Sequence, residues 1–177
     1  MKKVLITGTG RCGTTFLMKI FTFLGFDTGY TRENYTAFIY KNCNAGLEQG
    51  FPKPIYYISK SPLFMEKIET VLETTKIKLV IIPVRNYQES AKSRAVHSTE
   101  NGGLWNASNE EEQITFYNKI TADYIQKMVK YDINTLFLDF DQMVTNKYYL
   151  YIKLKSILEN TTFEQFISAY DEAGEAN

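Results

Sequence analysis

The sequence predicts an α/β fold of three layers, with a central, mainly parallel sheet of about four to five strands flanked by helices. Two observations lead to this fold class. Strand-like and helix-like segments alternate along the chain, which is typical of parallel sheets joined by crossover helices. The segment Leu79–Val84 is almost entirely apolar, as expected of a strand covered by helices on both faces. The 177 residues fit a single domain, 1–177.

Several short segments have the composition of strands. The first is rich in β-branched residues and ends in a glycine-rich turn. Pro83 lacks a backbone N–H group, so the third strand is expected to end or bulge there. The predicted strands are Lys3–Thr7, Ile55–Ser59, Leu79–Val84 and Thr135–Phe140.

Helices are predicted where apolar residues recur at three- and four-residue steps and where capping residues precede them. Ser61-Pro62 has the pattern of an N-cap followed by proline at the first helical position. Ser108–Glu111, and Thr162 with Gln165, have capping-box patterns. The predicted helices are Thr14–Leu24, Pro62 to about Glu73, Asn109–Lys130, Lys147–Leu158 and Phe163–Tyr170, with a further helix after Arg85.

The charge balance excludes a protein that binds its partner by bulk charge. The 20 basic residues equal the 20 acidic ones, so there is no excess of cations for nucleic acid or an anionic membrane. Cys12 and Cys43 are too few for a disulfide framework and fit a reducing compartment. The apolar run at the N-terminus does not fit a secretory signal, because residues 8–11 interrupt it. The next apolar stretch, Phe16–Phe26, is too short to span a bilayer. We therefore expect a cytoplasmic protein without nucleic-acid or membrane partners.

A glycine-rich loop, residues 8–15, lies between the first predicted strand and the first predicted helix. Glycines let backbone N–H groups close around a phosphate, and the N-terminus of the helix adds partial positive charge. Gly8 and Gly13 have the G-x-x-x-x-G spacing of the P-loop, but Thr14 stands where nucleotide triphosphatases have lysine. Arg11, inside the loop, supplies positive charge instead. These features predict an anion-binding site in a P-loop fold.

The segment 11–15 (Arg-Cys-Gly-Thr-Thr), followed by apolar residues, resembles the 5′-phosphosulfate loop of the sulfotransferases. That loop has the pattern Lys/Arg-Ser-Gly-Thr-Thr, so Cys12 replaces the usual serine and removes one hydroxyl donor. The resemblance implies that the ligand is 3′-phosphoadenosine-5′-phosphosulfate (PAPS), with 3′-phosphoadenosine-5′-phosphate (PAP) as the product. The residues that it implies in binding are Gly10, Arg11, Cys12, Gly13, Thr14 and Thr15.

A second segment follows the third predicted strand. Arg85 stands at the carboxyl end of that strand, where open α/β sheets bind ligands, and Ser93 follows eight residues later in a predicted helix. A guanidinium group and a hydroxyl group together suit a terminal phosphate. The stretch resembles the 3′-phosphate motif of the sulfotransferases, an apolar strand, then Arg-Asn/Asp, then serine eight residues after the arginine. The resemblance implies that Arg85 and Ser93 bind the 3′-phosphate.

A third segment, 60–62 (Lys-Ser-Pro), resembles the end of the second strand in heparan-type and many bacterial sulfotransferases. The resemblance implies that Lys60 faces the reaction centre. The cytosolic branch of the family has a catalytic histidine where Pro62 stands in this chain, so the general base must come from elsewhere.

The heparan-type branch uses a glutamate between the first helix and the second strand as the base. The candidates in this chain are Glu33 and Glu48. Glu33 is preferred because it lies closer in sequence to the position that this branch uses. His97, the only histidine, is a further candidate because histidine titrates near neutral pH.

The resemblance implies that the enzyme transfers a sulfuryl group from PAPS to a hydroxyl or amine acceptor by in-line displacement, without a metal. Electrostatic placement dominates reactions of this kind. Arg11 is expected to stabilise the leaving 5′-phosphate, Lys60 to assist, and Glu33 to take the proton of the acceptor. The Arg-Lys-Gly loop that closes over the 3′-phosphate in the family has no counterpart, because no Lys or Arg follows residue 155. Lys92, Arg94 or another chain is expected to substitute for it.

Two other functions stay open on the sequence. A P-loop kinase or NTPase would bind Mg²⁺ through Thr15 and use Asp139 or Asp141 as a strand-end carboxylate, although Thr14 replaces the P-loop lysine. A non-catalytic module would bind PAP or another nucleotide without transferring sulfate. The acceptor is expected to be a small molecule or a carbohydrate. The aromatic residues considered for its pocket are Tyr35, Phe38, Tyr56, Tyr57 and Trp105.

Overall fold

The structure, a computed structural model, describes residues 1–40, 45–97 and 102–175. The strands of these parts are β1 (Lys3–Ile6), β2 (Ile39–Tyr40), β3 (Ala45–Gly46), β4 (Ile58–Lys60), β5 (Ile77–Val84) and β6 (Thr135–Asp139). Four of them form a parallel sheet in the order β4-β1-β5-β6, and β2 and β3 form a separate antiparallel pair. The predicted α/β class with a mainly parallel central sheet is therefore confirmed.

The helices are α1 (Thr14–Phe23), α2 (Leu63–Glu66), α3 (Ile68–Leu72), α4 (Tyr87–Ala95), α5 (Glu110–Lys130), α6 (Phe140–Thr145), α7 (Lys147–Leu154) and α8 (Phe163–Glu175), with a short 3₁₀ helix at Tyr35–Phe38. They cover both faces of the sheet, as three layers require. Alternation along β1 sends Val4 and Ile6 into one core, with α1, α7 and α8, and sends Leu5 into the other, with α2, α3 and α5. None of the described helices has both the length and the apolar character needed to cross a membrane.

The prediction that the third strand ends or bulges at Pro83 is wrong. Pro83 lies inside β5, in register with Leu138 of β6. The N–H group of Val80 donates to Asn134 O in front of β6 at 2.9 Å, so by alternation the nitrogen of Pro83 points toward β1. Because β1 has already ended at Ile6, the missing N–H group interrupts no ladder.

The predicted helix from Pro62 to about Glu73 is instead two short helices. The backbone leaves the helical region at Lys67 (φ −121°, ψ 39°), between α2 and α3. Both pieces bury apolar side chains in the same core, against α5 and one face of the sheet. These side chains are Phe64, Met65, Ile68 and Val71.

Each of the four predicted strands also differs from the observed one by one to three residues at an end, and two of these differences have a clear cause. β4 begins at Ile58 rather than Ile55, because its pairing with β1 starts only at Ile58. Phe140 opens α6 rather than ending β6, because the Asp139 side chain caps that helix by accepting from Gln142 N at 2.7 Å.

The capping box predicted at Thr162 and Gln165 is confirmed. The Thr162 N–H donates to Gln165 Oε1 at 2.9 Å, and the Gln165 N–H donates to Thr162 Oγ1 at 3.3 Å. From this start α8 continues past the predicted end at Tyr170 to Glu175, whereas α7 ends at Leu154, before the predicted Leu158.

Candidate functional site

A cavity of about 800 Å³ lies at the carboxyl edge of the sheet, where ligands of open α/β sheets bind. Each of the four parallel strands contributes the residues at its end: β4 contributes Lys60, β1 the glycine-rich loop, β5 Arg85 and β6 Phe140. The order of the strands sets the order of these groups along the edge. The three segments singled out in the sequence therefore meet at one cavity.

The glycine-rich loop has a conformation suited to anions. Gly10, Arg11 and Gly13 have positive φ values of 81°, 55° and 81°, and left-handed turns of this kind form concave backbone nests for anions. α1 begins directly after Gly13, with no side-chain cap and no acidic residue in its first turn. By contrast, α4, α5 and α7 each begin with an asparagine that caps the helix. The N-terminus of α1 thus offers donors and partial positive charge toward the cavity.

Two of the loop glycines are required by close neighbours as well as by their backbone conformation. A Cβ atom on Gly10 would overlap the guanidinium group of Arg94, and a Cβ atom on Gly13 would overlap the Met143 side chain. The loop is therefore packed tightly between α4 on one side and α6 on the other.

Arg11 joins the loop to α4. Its Nε donates to Ser93 Oγ at 3.1 Å, and its Nη2 lies 3.0 Å from His97 Nε2. Because a guanidinium group only donates, His97 Nε2 accepts in this contact, which assigns the ring proton to Nδ1. Arg85 donates from Nη1 to the carbonyl oxygen of Arg11 at 3.2 Å, and its guanidinium lies 4.7 Å from the centre of the Phe140 ring. Arg11, Arg85 and Ser93 thus form one cluster on the cavity wall.

Arg94, which the sequence analysis considered for closing the site, is a buried clamp. It is 8% exposed, and its Nη1 donates to Gly102 O at 3.1 Å and to Gly103 O at 2.6 Å. Its Nη2 donates to Thr9 O at 3.3 Å, and its guanidinium lies over the Trp105 ring. Arg94 therefore ties the segment 102–105 to the glycine-rich loop.

Lys60 lies at the end of β4 and is 3% exposed. Its Nζ donates to Glu48 Oε1 at 2.9 Å and to Thr15 Oγ1 at 2.8 Å, and it also donates to the carbonyl oxygen of Gly46. The Glu48 side chain is still 38% exposed and lines the cavity. A buried ammonium group and a partly exposed carboxylate thus stand next to the glycine-rich loop.

Glu33, the preferred base of the sequence analysis, is exposed and does not line the cavity. A hydrogen bond from the Thr31 side chain lowers the pKa of the Glu33 carboxyl group, and the Glu33 N–H also donates to Thr31 Oγ1. Glu33 thus interacts with a neighbour two residues away in the chain. The structure brings Glu48, the alternative candidate, to the cavity instead. Lys92, the second candidate for closing the site, is exposed on α4 and does not line the cavity either.

Cys12 belongs to the glycine-rich loop, but its side chain does not line the cavity. It is fully buried, and this burial raises the pKa of its thiol. A small, neutral side chain therefore suits this buried position. Cys43 lies outside the described residues.

Of the aromatic residues considered for an acceptor pocket, Trp105 lines the cavity. Tyr35 packs on Phe23, Phe38 on Tyr30 and Tyr57 on Phe26, while Tyr56 crowds Gly29. The sequence analysis missed four aromatic wall residues. Phe140 follows a strand end and Phe16 lies in the first turn of α1, so both stand where the rule for open sheets gives a signal, whereas the other two carry no such signal. The missed residues are Phe16, Tyr40, Phe140 and Tyr170.

Of the groups considered for a magnesium site, neither Asp139 nor Asp141 lines the cavity, and Asp139 and Thr15 have other partners. The Asp139 side chain caps α6, and Thr15 Oγ1 accepts from Lys60 and donates to Gly46 O at 3.4 Å. Within the described parts of the chain, His, Cys, Asp and Glu side chains form no group of three or more that would hold a metal ion.

Comparisons of the chain with protein-family models, with curated proteins and with solved structures each find no match.

Proposed function

We propose that this chain is a sulfotransferase that moves the sulfuryl group of PAPS to an acceptor. The observation that carries the proposal is that Arg11 and Arg85, which the resemblance assigns to opposite ends of one nucleotide, line the same cavity. They are also joined directly, since the Arg85 guanidinium donates to the Arg11 carbonyl oxygen at 3.2 Å. Ser93, the third residue of the proposed nucleotide site, accepts from Arg11.

The order of groups along the sheet edge matches the order of groups in PAPS. Arg85 and Ser93 would hold the 3′-phosphate, and the loop and the N-terminus of α1 would hold the 5′-phosphosulfate. The ring of Phe140, beyond Arg85, offers an apolar surface to the nucleotide. Lys60 and Glu48, on the other side of the loop, then face the sulfuryl group.

In the proposed reaction the acceptor oxygen forms a bond to sulfur while the bond between sulfur and the 5′-phosphate oxygen breaks. The loop amides and the N-terminus of α1 stabilise the negative charge that develops on the leaving phosphate, and Arg11 adds positive charge from the same loop. Lys60 holds the moving sulfuryl group by its positive charge. Glu48 accepts the proton of the acceptor hydroxyl, and PAP leaves with the electron pair of the broken bond.

Glu48 replaces Glu33 in this mechanism because of its position. It lies within hydrogen-bond distance of Lys60 and lines the cavity, whereas Glu33 does neither. Its contact with the Lys60 ammonium group also orients the carboxylate, which a general base requires.

Calorimetry with PAP and with Mg·ATP tests the proposal. We expect PAP to bind and Mg·ATP to bind at least about tenfold more weakly, because the second phosphate of PAP matches Arg85. Arg85→Ala should weaken PAP binding by about 10- to 100-fold, the loss of hydrogen bonds to a charged group. Lys92→Ala, an exposed change on the same helix, is the control and should leave the affinity unchanged. Tight Mg·ATP binding without PAP binding would favour a kinase or NTPase.

Turnover of PAPS with an acceptor tests the choice of base. Glu48→Gln keeps the hydrogen bond to Lys60 but removes the basic oxygen, so the rate should fall by about 10²- to 10⁴-fold. Glu33→Gln is the matched control and should turn over near the normal rate. The reverse result would return the role of base to Glu33.

A further inference from the structure

We infer that the acceptor is a small, uncharged molecule whose hydroxyl group stands on an aromatic ring or a similar apolar body. The inference rests on the proposed function, because it concerns the part of the same cavity next to Lys60 and Glu48. Both a small molecule and a carbohydrate were open on the sequence. The walls of the cavity distinguish between them.

Apolar residues line the cavity close to Lys60, next to polar side chains such as Thr15 and Ser61. The β2–β3 pair lies over Lys60, because the Gly46 carbonyl accepts from its ammonium group. Arg94 holds the segment 102–105 against the glycine-rich loop. The apolar and aromatic residues that these segments and the chain after β4 contribute to the cavity are Tyr40, Ala45, Pro62, Leu63, Leu104 and Trp105.

Trp105 is a rigid wall rather than a loose surface side chain. Its backbone N–H donates to Gln113 Oε1 at 2.6 Å, and Gln113 Nε2 donates back to Trp105 O at 3.2 Å. Its ring meets Phe116 edge-on at 5.0 Å and lies under the Arg94 guanidinium. A preformed aromatic wall favours a flat apolar ligand, because little order has to be imposed on binding.

The charges in this part of the cavity disfavour a polyanionic sugar. Lys60 contributes positive charge, and Glu48 balances it at 2.9 Å. Of the other cationic residues that line the cavity in the described parts of the chain, Arg11 and Arg85 are assigned to the nucleotide and Arg94 donates to backbone carbonyls. A sulfated or carboxylated polysaccharide would therefore face a lysine that Glu48 already pairs. A neutral sugar would have to bury several hydroxyl groups against apolar side chains, where each unpaired hydroxyl costs free energy.

A single hydroxyl group on an apolar body meets none of these objections. Its ring would contact Leu63, Leu104 and Trp105, and its hydroxyl group would donate to Glu48. That contact is the one from which the proposed mechanism removes a proton. One carboxylate among apolar walls therefore matches a phenol-type acceptor.

The test uses the whole chain with PAPS and three acceptors: 2-naphthol, cellobiose and heparosan. The readout is the sulfated product of each acceptor, measured by mass spectrometry. We expect 2-naphthyl sulfate to form at least about tenfold faster than either sulfated sugar. PAP binding is measured separately by calorimetry, so that the nucleotide site and the acceptor site are judged independently.

Tyr40→Ala tests the acceptor wall with little risk to folding, since Tyr40 is 53% exposed. It should raise the KM for 2-naphthol about fivefold and leave the Kd of PAP unchanged. Tyr148→Ala is the matched control, because Tyr148 is 64% exposed on α7, outside the cavity. It should change neither value.

Each other outcome overturns the inference in a recognisable way. If PAP binds but 2-naphthol is not sulfated, or a sugar is sulfated faster, the acceptor class is wrong and the proposed function stands or falls on its own test. If Tyr40→Ala and Tyr148→Ala have equal KM values, this wall does not contact the acceptor. If PAP does not bind, the proposed function fails and this inference fails with it.

Discussion

Replacing Gly10 by alanine tests how tightly the glycine-rich loop is held by α4. Gly10 has a φ of 81°, and a Cβ atom there would overlap the Arg94 guanidinium group. Two penalties therefore add. The left-handed backbone costs an alanine about 1–2 kcal/mol. The displaced guanidinium group loses at least one hydrogen bond to a backbone carbonyl, which costs about 1.5–3 kcal/mol for a charged donor.

Gly25→Ala is the matched control for the first penalty. Gly25 has nearly the same φ, 78°, but a Cβ atom there meets nothing within 4 Å. The control should therefore lose only the backbone contribution. The difference between the two variants isolates the displacement of Arg94, and we expect it to be about 1.5–3 kcal/mol in the free energy of unfolding.

Guanidinium chloride unfolding, followed by circular dichroism, measures this difference. For a chain of this size it corresponds to a Tm that is about 3–12 °C lower for Gly10→Ala than for Gly25→Ala. Calorimetry with PAP should show weaker binding for Gly10→Ala alone, because only this change disturbs the loop. Equal unfolding free energies in the two variants would show that Arg94 is free to move aside, and the clamp described here would be refuted.

Two buried groups give further predictions. Burial raises the pKa of the Cys12 thiol, so iodoacetamide at pH 8 should alkylate Cys12 only after unfolding. Peptide mass spectrometry of native and denatured samples measures the labelling, and rapid labelling of the native chain would contradict the burial of Cys12. Burial also raises the pKa of Tyr124 to about 12 from its ordinary 10.0, so the folded state keeps a proton that the unfolded state loses between these values. The unfolding free energy should fall by on the order of 2 kcal/mol as the pH rises from 10 to 12. Tyr124→Phe should remove this part of the slope, whereas Tyr148→Phe should keep it, and equal slopes in both variants would contradict the assignment.

The parts of the fold that sequence predicts best are those with a local physical cause. The capping box of Thr162 and Gln165 forms as predicted because its two hydrogen bonds join residues three apart. The sheet order depends on pairing between strands that are distant in sequence. The tolerance of Pro83 depends on one of these pairings, because β1 ends beside β5 before it reaches the proline. Sequence patterns do not contain that register.

The same distinction separates the two glutamates. Glu33 was preferred because of its distance along the chain, but the position of a carboxylate here is set by the β2–β3 pair. Each of these strands has only two residues, so no alternation of side chains announces them. Their pairing brings Gly46 and Glu48 back onto Lys60, 12 residues or more away in sequence.

The loop and the walls of the cavity come from different parts of the chain, which explains why they can vary independently. The elements proposed to bind the anion lie within the loop and the first turn of α1, where glycine conformations and a helix N-terminus suffice. The walls come from the β2–β3 pair, the segment 102–105 and α8, which the chain brings together from three distant regions. A change in one wall, such as Tyr40, therefore leaves the loop geometry intact, whereas a change at Arg94 alters both, because that side chain binds the loop and the Trp105 wall at once. Under the proposed function, Arg94 would therefore couple nucleotide binding to acceptor binding.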